Sequence, residues 1–207
     1  MNNRLQKGQS IFNKYIGFFF LTVVLLWLKT YVIQLTQFDL GIDNTFQKFL
    51  LLINPLGSSI LFLGLAAFFK GRKKYIWLIV FDFLLTFLLY ANVLYYRFFN
   101  DFITLPTLFQ TENFGDVSGS VLTLVRPYDL LFFVDIVLLI GLLKFKPIKI
   151  DMRNLGRRQV AALLFLALGI SSLNLALAET DRPQLLTRGF YRNYIVKYLG
   201  MYNYTIY

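Results

Sequence analysis

Five apolar runs, each close to the length of a bilayer crossing, constrain this chain more than any other feature of its sequence. They cover residues 15–34, 49–69, 75–96, 127–143 and 160–178. An apolar helix of about 20 residues crosses the roughly 30 Å hydrocarbon core of a membrane, where every backbone N–H and C=O must be bonded within the segment. The fourth run is short by a few residues. Pro127 suits its first helical position and Asp129 its first turn, so that helix is expected to begin there with little tilt. The apolar residues form continuous blocks and make up 57% of the 207 residues, more than a soluble domain of this size requires. The fold class is all-α: a polytopic membrane protein with five transmembrane helices.

Charge sets the orientation. The N-terminal arm holds Arg4, Lys7 and Lys14, the turn after the second run is Lys70-Gly71-Arg72-Lys73-Lys74, and the link between the fourth and fifth runs carries Lys144, Lys146, Lys149, Arg153, Arg157 and Arg158. Five spans put these three segments on one side, and Lys and Arg mark the cytoplasmic side. The opposite loops hold Lys48, Arg97 and Arg126 against Asp39, Asp43, Asp101, Glu112 and Asp116. The tail after Ala178 is mildly basic and alone argues for the inside, but the three basic segments outvote it. The expected topology is N-terminus in and C-terminus out, in the plasma membrane. A net charge of +10 placed beside apolar runs reads as topology signal and anionic-lipid contact, not as a nucleic-acid surface. The motif Ala176-Leu177-Ala178 has the small-x-small form of a signal-peptidase site, but the apolar run before it is internal and about 19 residues long, which favours a retained helix.

With no Cys and no His, disulfides, thiol chemistry and the usual zinc and iron ligand sets are excluded, together with the commonest general base. No catalytic or metal-binding residue is identified and no cofactor is implied for this chain. Polar groups inside the runs are then the informative ones, because charge near a bilayer centre is costly. At 1.5 Å per residue, Asp82 and Asp135 lie about 12 and 13 Å above the cytoplasmic ends of their helices. They read either as a proton or cation site or as packing acids bonded to hydroxyls such as Thr86. Lys29 and Asn174 lie about 22 Å up, with Asn92 near that depth. Asn54-Pro55 is expected in the first turns of the second span, Arg97 ends the third, and Arg182 follows the fifth. Lys29, Asn54, Asn92, Arg97, Asn174 and Arg182 are the expected ligands of a phospholipid headgroup, cations for phosphate and amides for glycerol or carbonyl oxygens. The alternative is snorkelling and interhelical bonding.

The outer loop between Arg97 and Arg126 opens on Phe98-Phe99-Asn100-Asp101-Phe102-Ile103-Thr104-Leu105, too apolar for a free loop and too short to span. An interfacial helix or a re-entrant segment is expected, with Ser118-Gly119-Ser120 as a joint behind it. After Pro183, Leu186, Phe190 and Tyr194 recur every four residues and Arg188 pairs with Arg192, which predicts a juxtamembrane helix. Ile195 and Leu199 fall on the arginine side. The final Tyr204-Thr205-Ile206-Tyr207 reads as extended chain, an ending that looks cut.

These residues resemble a family. Glu179-Thr180-Asp181-Arg182-Pro183-Gln184-Leu185-Leu186-Thr187-Arg188, continued by Tyr194-Ile195-Val196-Lys197-Tyr198-Leu199-Gly200, is similar to the segment joining the last transmembrane helix to the extracellular domain in lipoteichoic acid synthases. The stretch from Leu84 to Phe99, with Asp101-Phe102 and Thr104, resembles the end of their third span. Leu28-Lys29-Thr30-Tyr31 and Phe68-Phe69-Lys70-Gly71 agree as well. The resemblance implies a glycerol phosphate transferase of Gram-positive bacteria that builds polymer from phosphatidylglycerol on a glycolipid acceptor. It also implies a catalytic extracellular domain with a threonine nucleophile and manganese, absent from this chain. Residues 1–182 would then be the five-helix membrane domain and 183–207 the linker to that domain. Three roles stay open: presenting lipid donor or acceptor, anchoring and assembling with envelope-synthesis partners, or acting as a stand-alone transporter or channel. An odd span count without internal repeat disfavours the last.

Overall fold

The computed structural model describes residues 2–109, 123–145, 155–187 and 192–206, with the backbone alone for 2–14 and 108–109. The Ser118-Gly119-Ser120 joint, Lys146, Lys149, Arg153, Arg188 and Phe190 lie outside the described residues. Most of those described are helical, with no strand among them.

Helix α1 (Asn2–Gln37) carries the first apolar run, Tyr15–Gln37. Helix α2 (Thr45–Gly64) begins four residues before the expected span, because Asn44 caps it. The Asn44 side-chain oxygen accepts the Gln47 N–H at 2.8 Å, and the Gln47 amide oxygen accepts the Asp43 N–H at 2.9 Å. Asn54 is therefore not in the first turns but about 14 Å along the helix. Pro55 cannot donate to the Leu51 carbonyl, and the Asn54 amide nitrogen donates to it instead at 3.3 Å, so the helix passes through the proline. A 3-10 turn, Leu65–Phe68, completes this crossing.

Helix α3 (Lys73–Phe99) is closed by Asn100 in the left-handed conformation, φ 53°. The chain then folds back along α3. Phe102 and Ile103 are buried, and the Ile103 N–H donates to Asn92 Oδ1 at 2.9 Å. Helix α4 (Leu105–Phe109) follows. The fourth run starts at Pro127 as expected, but as a 3-10 segment (Pro127–Phe133) before helix α5 (Val134–Phe145). At about 2.0 Å per 3-10 residue and 1.5 Å per α residue the run extends about 32 Å, against about 28 Å for a uniform α-helix. Tighter winding and two further residues at the C-terminal end lengthen the run beyond the expected one. Helix α6 (Arg157–Asp181) carries the fifth run. Four helices, Tyr15–Gln37, Thr45–Phe68, Lys73–Phe99 and Arg157–Asp181, are each long and apolar enough to cross a membrane unbroken.

Side-chain contacts fix how these helices pair. Tyr15 and Phe18 meet Tyr75 with ring centroids 5.1 and 5.7 Å apart, and Phe38 meets Tyr96 at 5.1 Å, so α1 and α3 run parallel. Asn174 Nδ2 donates to the Leu50 carbonyl at 3.4 Å near one end of α2 and α6, which run antiparallel. At their centre Gly57 lies so close to α6 that a Cβ there would fall 2.5 Å from Ser171 Oγ, the approach that small residues allow between helices in lipid. On the outside, Leu130, Val137, Phe165 and Phe145 are 76, 68, 74 and 80% exposed. Large apolar side chains this bare mark a surface for lipid or for another protein.

The tail departs from expectation. It forms two helices, α7 (Arg192–Leu199) and α8 (Met201–Ile206), hinged at Gly200 with φ 84°. Tyr204-Thr205-Ile206 is helical, not extended. Ile195 through Tyr202 are buried, and so are Tyr204 and Thr205. A helix buried on all sides has no polar face, so Ile195 and Leu199 need not share a side with Leu186 and Tyr194.

Candidate functional site

The polar residues inside the bundle fall into three groups. The deepest joins α1, α3 and α5. Lys29 Nζ lies 2.5 Å from Asp135 Oδ2 and donates to Thr86 Oγ1 at 2.6 Å. The two acids of matched depth are thus not partners of each other in hydrogen bonding. Asp135 takes the lysine, while Asp82, one turn before Thr86 on the same face of α3, is fully buried and neither of its oxygens has a hydrogen-bond partner.

The second group closes one rim. Arg97 donates through Nη1 to Asp129 Oδ2 at 2.7 Å and through Nη2 to Asp129 Oδ1 at 2.8 Å. It also donates to the Leu124 carbonyl at 3.1 Å and to Gln37 Oε1 at 2.9 Å. The Asp129 carboxylate in turn accepts the Arg126 N–H at 2.9 Å, which caps the 3-10 segment. Below it Asn92 holds the folded-back loop through Ile103.

The third group seats the tail. Met201 N–H donates to Gln34 Oε1 at 3.2 Å, and Gly200 N–H to the Asn54 amide oxygen at 3.2 Å. Ser58 Oγ donates to Asn203 Oδ1 at 2.9 Å. Gln47 Nε2 donates to the Tyr198 hydroxyl at 3.0 Å, and that hydroxyl donates to Asp181 Oδ2 at 2.5 Å. Burial first, and then the Asp181 bond, push the Tyr198 phenol up to about 12. Lys197, 1% exposed, donates to the Gly41 carbonyl at 2.6 Å and lies over the Tyr194 ring at 4.7 Å. Tyr202 donates to the Leu85 carbonyl at 3.2 Å and sits 3.2 Å from Thr30 Oγ1.

Compared with known proteins, residues 1–207 match the Lipoteichoic acid synthase N-terminal domain family. The chain belongs to that family. It is 45% identical over 199 residues to Lipoteichoic acid synthase 1 of Bacillus subtilis (strain 168) and 50% identical over 195 residues to Lipoteichoic acid synthase 2 of the same organism. To Lipoteichoic acid synthase of Staphylococcus aureus (strain USA300) it is 43% identical over 191 residues. The alignments cover 96, 93 and 92% of this chain but 31, 29 and 30% of those synthases. No solved structure matches.

Within this synthase N-terminal domain, the six expected headgroup ligands are distributed over separate places. Lys29 is at mid-depth with Asp135, Asn54 and Asn174 pack against backbone, Asn92 holds the loop, and Arg97 is at the rim with Asp129. Arg182, just past α6, lies over the Tyr194 ring at 5.3 Å. Among the described residues no three Asp, Glu, His or Cys side chains come together as a metal-ligand set. The residues missed from sequence are Gln34, Gln47, Lys197 and Tyr202. Two glutamines flanking one short turn were the available signal for the first pair.

Proposed function

We propose that this chain is the membrane domain of a lipoteichoic acid synthase, a glycerol phosphate transferase building its polymer from phosphatidylglycerol at the outer face of the plasma membrane. In this reading five helices cross with the N-terminus inside and the C-terminus outside. The about 32 Å length of the overwound fourth run supplies the fifth crossing, and the three basic segments supply the orientation. In the same reading, the threonine and manganese chemistry that the family resemblance implies belongs to an extracellular catalytic domain.

The observation that carries the reading is the seating of α7 and α8 inside the bundle. A domain that only tethers needs a flexible exit. Here the exit is bonded to α1, α2 and α6, so an extracellular catalytic domain is held at a fixed place against the membrane, where donor lipid and growing polymer end. Arg182, at the rim beside Tyr194, is the cation best placed to meet a lipid phosphate. The test is a domain exchange. This chain replaces the corresponding 31% of the Bacillus subtilis synthase in cells that depend on that enzyme. Polymer synthesis close to the native level is expected, and normal membrane levels of the chimera without polymer would overturn the proposal.

A further inference from the structure

The proposed function makes no use of the mid-depth cluster, whose charge does not balance. Lys29 Nζ neutralises Asp135 at 2.5 Å and is bonded to Thr86 at 2.6 Å. Asp82 is 0% exposed, and both its oxygens, together with Oδ1 of Asp135, lack a hydrogen-bond partner in the protein. The titratable groups facing Asp82 from the elements packed on α3 are Lys29 of α1, Asp135 of α5 and the Tyr202 phenol of α8. Two carboxylates against one ammonium leave one excess negative charge, and three carboxyl oxygens want a positive or hydrogen-bearing partner. An uncompensated charge in this setting is strongly disfavoured.

We propose that Asp82 and Asp135, with Lys29 fixed beside them, form an intramembrane site for one monovalent positive charge, a proton or a small alkali cation. A bound proton removes the excess charge and turns one carboxyl into a donor. An alkali ion stripped of water satisfies the same unbonded oxygens directly. Tyr202 packs beside the cluster through Thr30 and Leu85, so occupancy of the site and seating of α8 are linked.

The experiment uses the 207-residue chain purified in detergent. Thermal unfolding is followed over a pH series at fixed sodium, and over a sodium series against choline at fixed pH, for the native chain and for Asp82→Asn. The asparagine is isosteric with the acid and carries no charge, so the variant is expected to fold. The native midpoint should respond to one of the two series, and that response should be lost in Asp82→Asn. Higher midpoints toward acid, with an infrared carbonyl band of a protonated carboxylic acid at mildly alkaline pH, identify the proton. Higher midpoints with sodium but not choline identify the cation. A native chain indifferent to both series, or the same response in Asp82→Asn, overturns the site. Should Asp82→Asn fail to fold, the native chain decides alone, and the absence of both the infrared band and a sodium-dependent midpoint overturns the proposal.

Discussion

Arg97 and Asp129 face each other at the rim with 8 and 3% of their side chains exposed, and two parallel N–H···O bonds fix the guanidinium plane. Removing one partner of a buried ion pair costs about 3–5 kcal/mol, because the other charge stays buried and uncompensated. Arg97→Ala and Asp129→Ala should each destabilise the chain by about that amount, and the double variant by clearly less than the sum. Arg97→Lys keeps the charge but not the fork, and should recover only part of the loss. Denaturant unfolding in detergent measures all four. Arg182→Ala is the contrast: losing only its partly exposed contacts to Tyr194 and Tyr198, it should cost far less stability and instead lower phosphatidylglycerol retention in native mass spectrometry by about tenfold. Equal unfolding of Arg97→Ala and Arg182→Ala would remove the rim pair from the stability argument. Sequence alone marked Arg97 as a cation ending a rigid helix, and Asp129 as a first-turn acid. Nothing in their spacing of thirty-two positions linked them. Lys29 was harder still, since depths counted from helix ends separated it from Asp135 by about 9 Å. A lysine stem is long and flexible, and its ammonium moves toward the charge that desolvation obliges it to find.

The two tail helices form one element in physical terms, since α8 is too short to be stable by itself. Gly200 makes the hinge possible in two ways. Its φ of 84° is a conformation that side chains resist, and a Cβ there would sit 2.5 Å from the Asn54 side-chain amide. Gly200→Ala should therefore unseat α8. A single cysteine at Thr205, buried at 3%, then reports the event in a chain with no native cysteine: slow labelling by a soluble thiol reagent in the native background, fast in Gly200→Ala. The seat should also open in alkali. The fold raises the Tyr198 phenol to about 12 from its ordinary 10.0, chiefly by burial and then through Asp181. A raised group stabilises fully below its unfolded value and loses that contribution as pH rises through its folded value. Labelling of Thr205→Cys should accelerate between about pH 10 and 12, and Tyr198→Phe should remove the Tyr198 share of that change. A flat rate across this window would detach Tyr198 from the seat. A helix in the tail was legible, but it starts at Arg192 and not after Pro183, where residues 183–187 form a turn, and its burial was not legible. A sequence read against one membrane surface assigns each helix a wet face, whereas α7 from Ile195 onward is buried against α2, α6 and the turn between α1 and α2 and has none.

At the scale of the whole molecule, the apolar runs were legible because lipid leaves the backbone no choice but the helix. Their ends were less so, because a cap at Asn44 and tight winding after Pro127 move a boundary without changing composition. Orientation, too, is a property of the whole molecule, decided by charges far apart in sequence. The expected arrangement brings Gly71 and Gly156 to the cytoplasmic side and Lys48 to the outer side, and each can be asked separately. Single cysteines replace Gly71, Gly156 or Lys48, and intact cells are treated with an impermeant thiol reagent. Lys48→Cys is exposed at the start of α2 and should label in intact cells. Gly71→Cys and Gly156→Cys should label only after the membrane is opened. The pair Gly71 and Gly156 is the discriminating one, because the overwound run from Pro127 lies between them. If that run crosses, both positions share a side. If it lies in the interface instead, the fifth helix inverts, and Gly156→Cys labels in intact cells while Gly71→Cys does not. That outcome would be incompatible with the antiparallel packing of α2 and α6 and with the bonding of the tail to Gln47 beside Lys48, and would overturn the five-crossing reading.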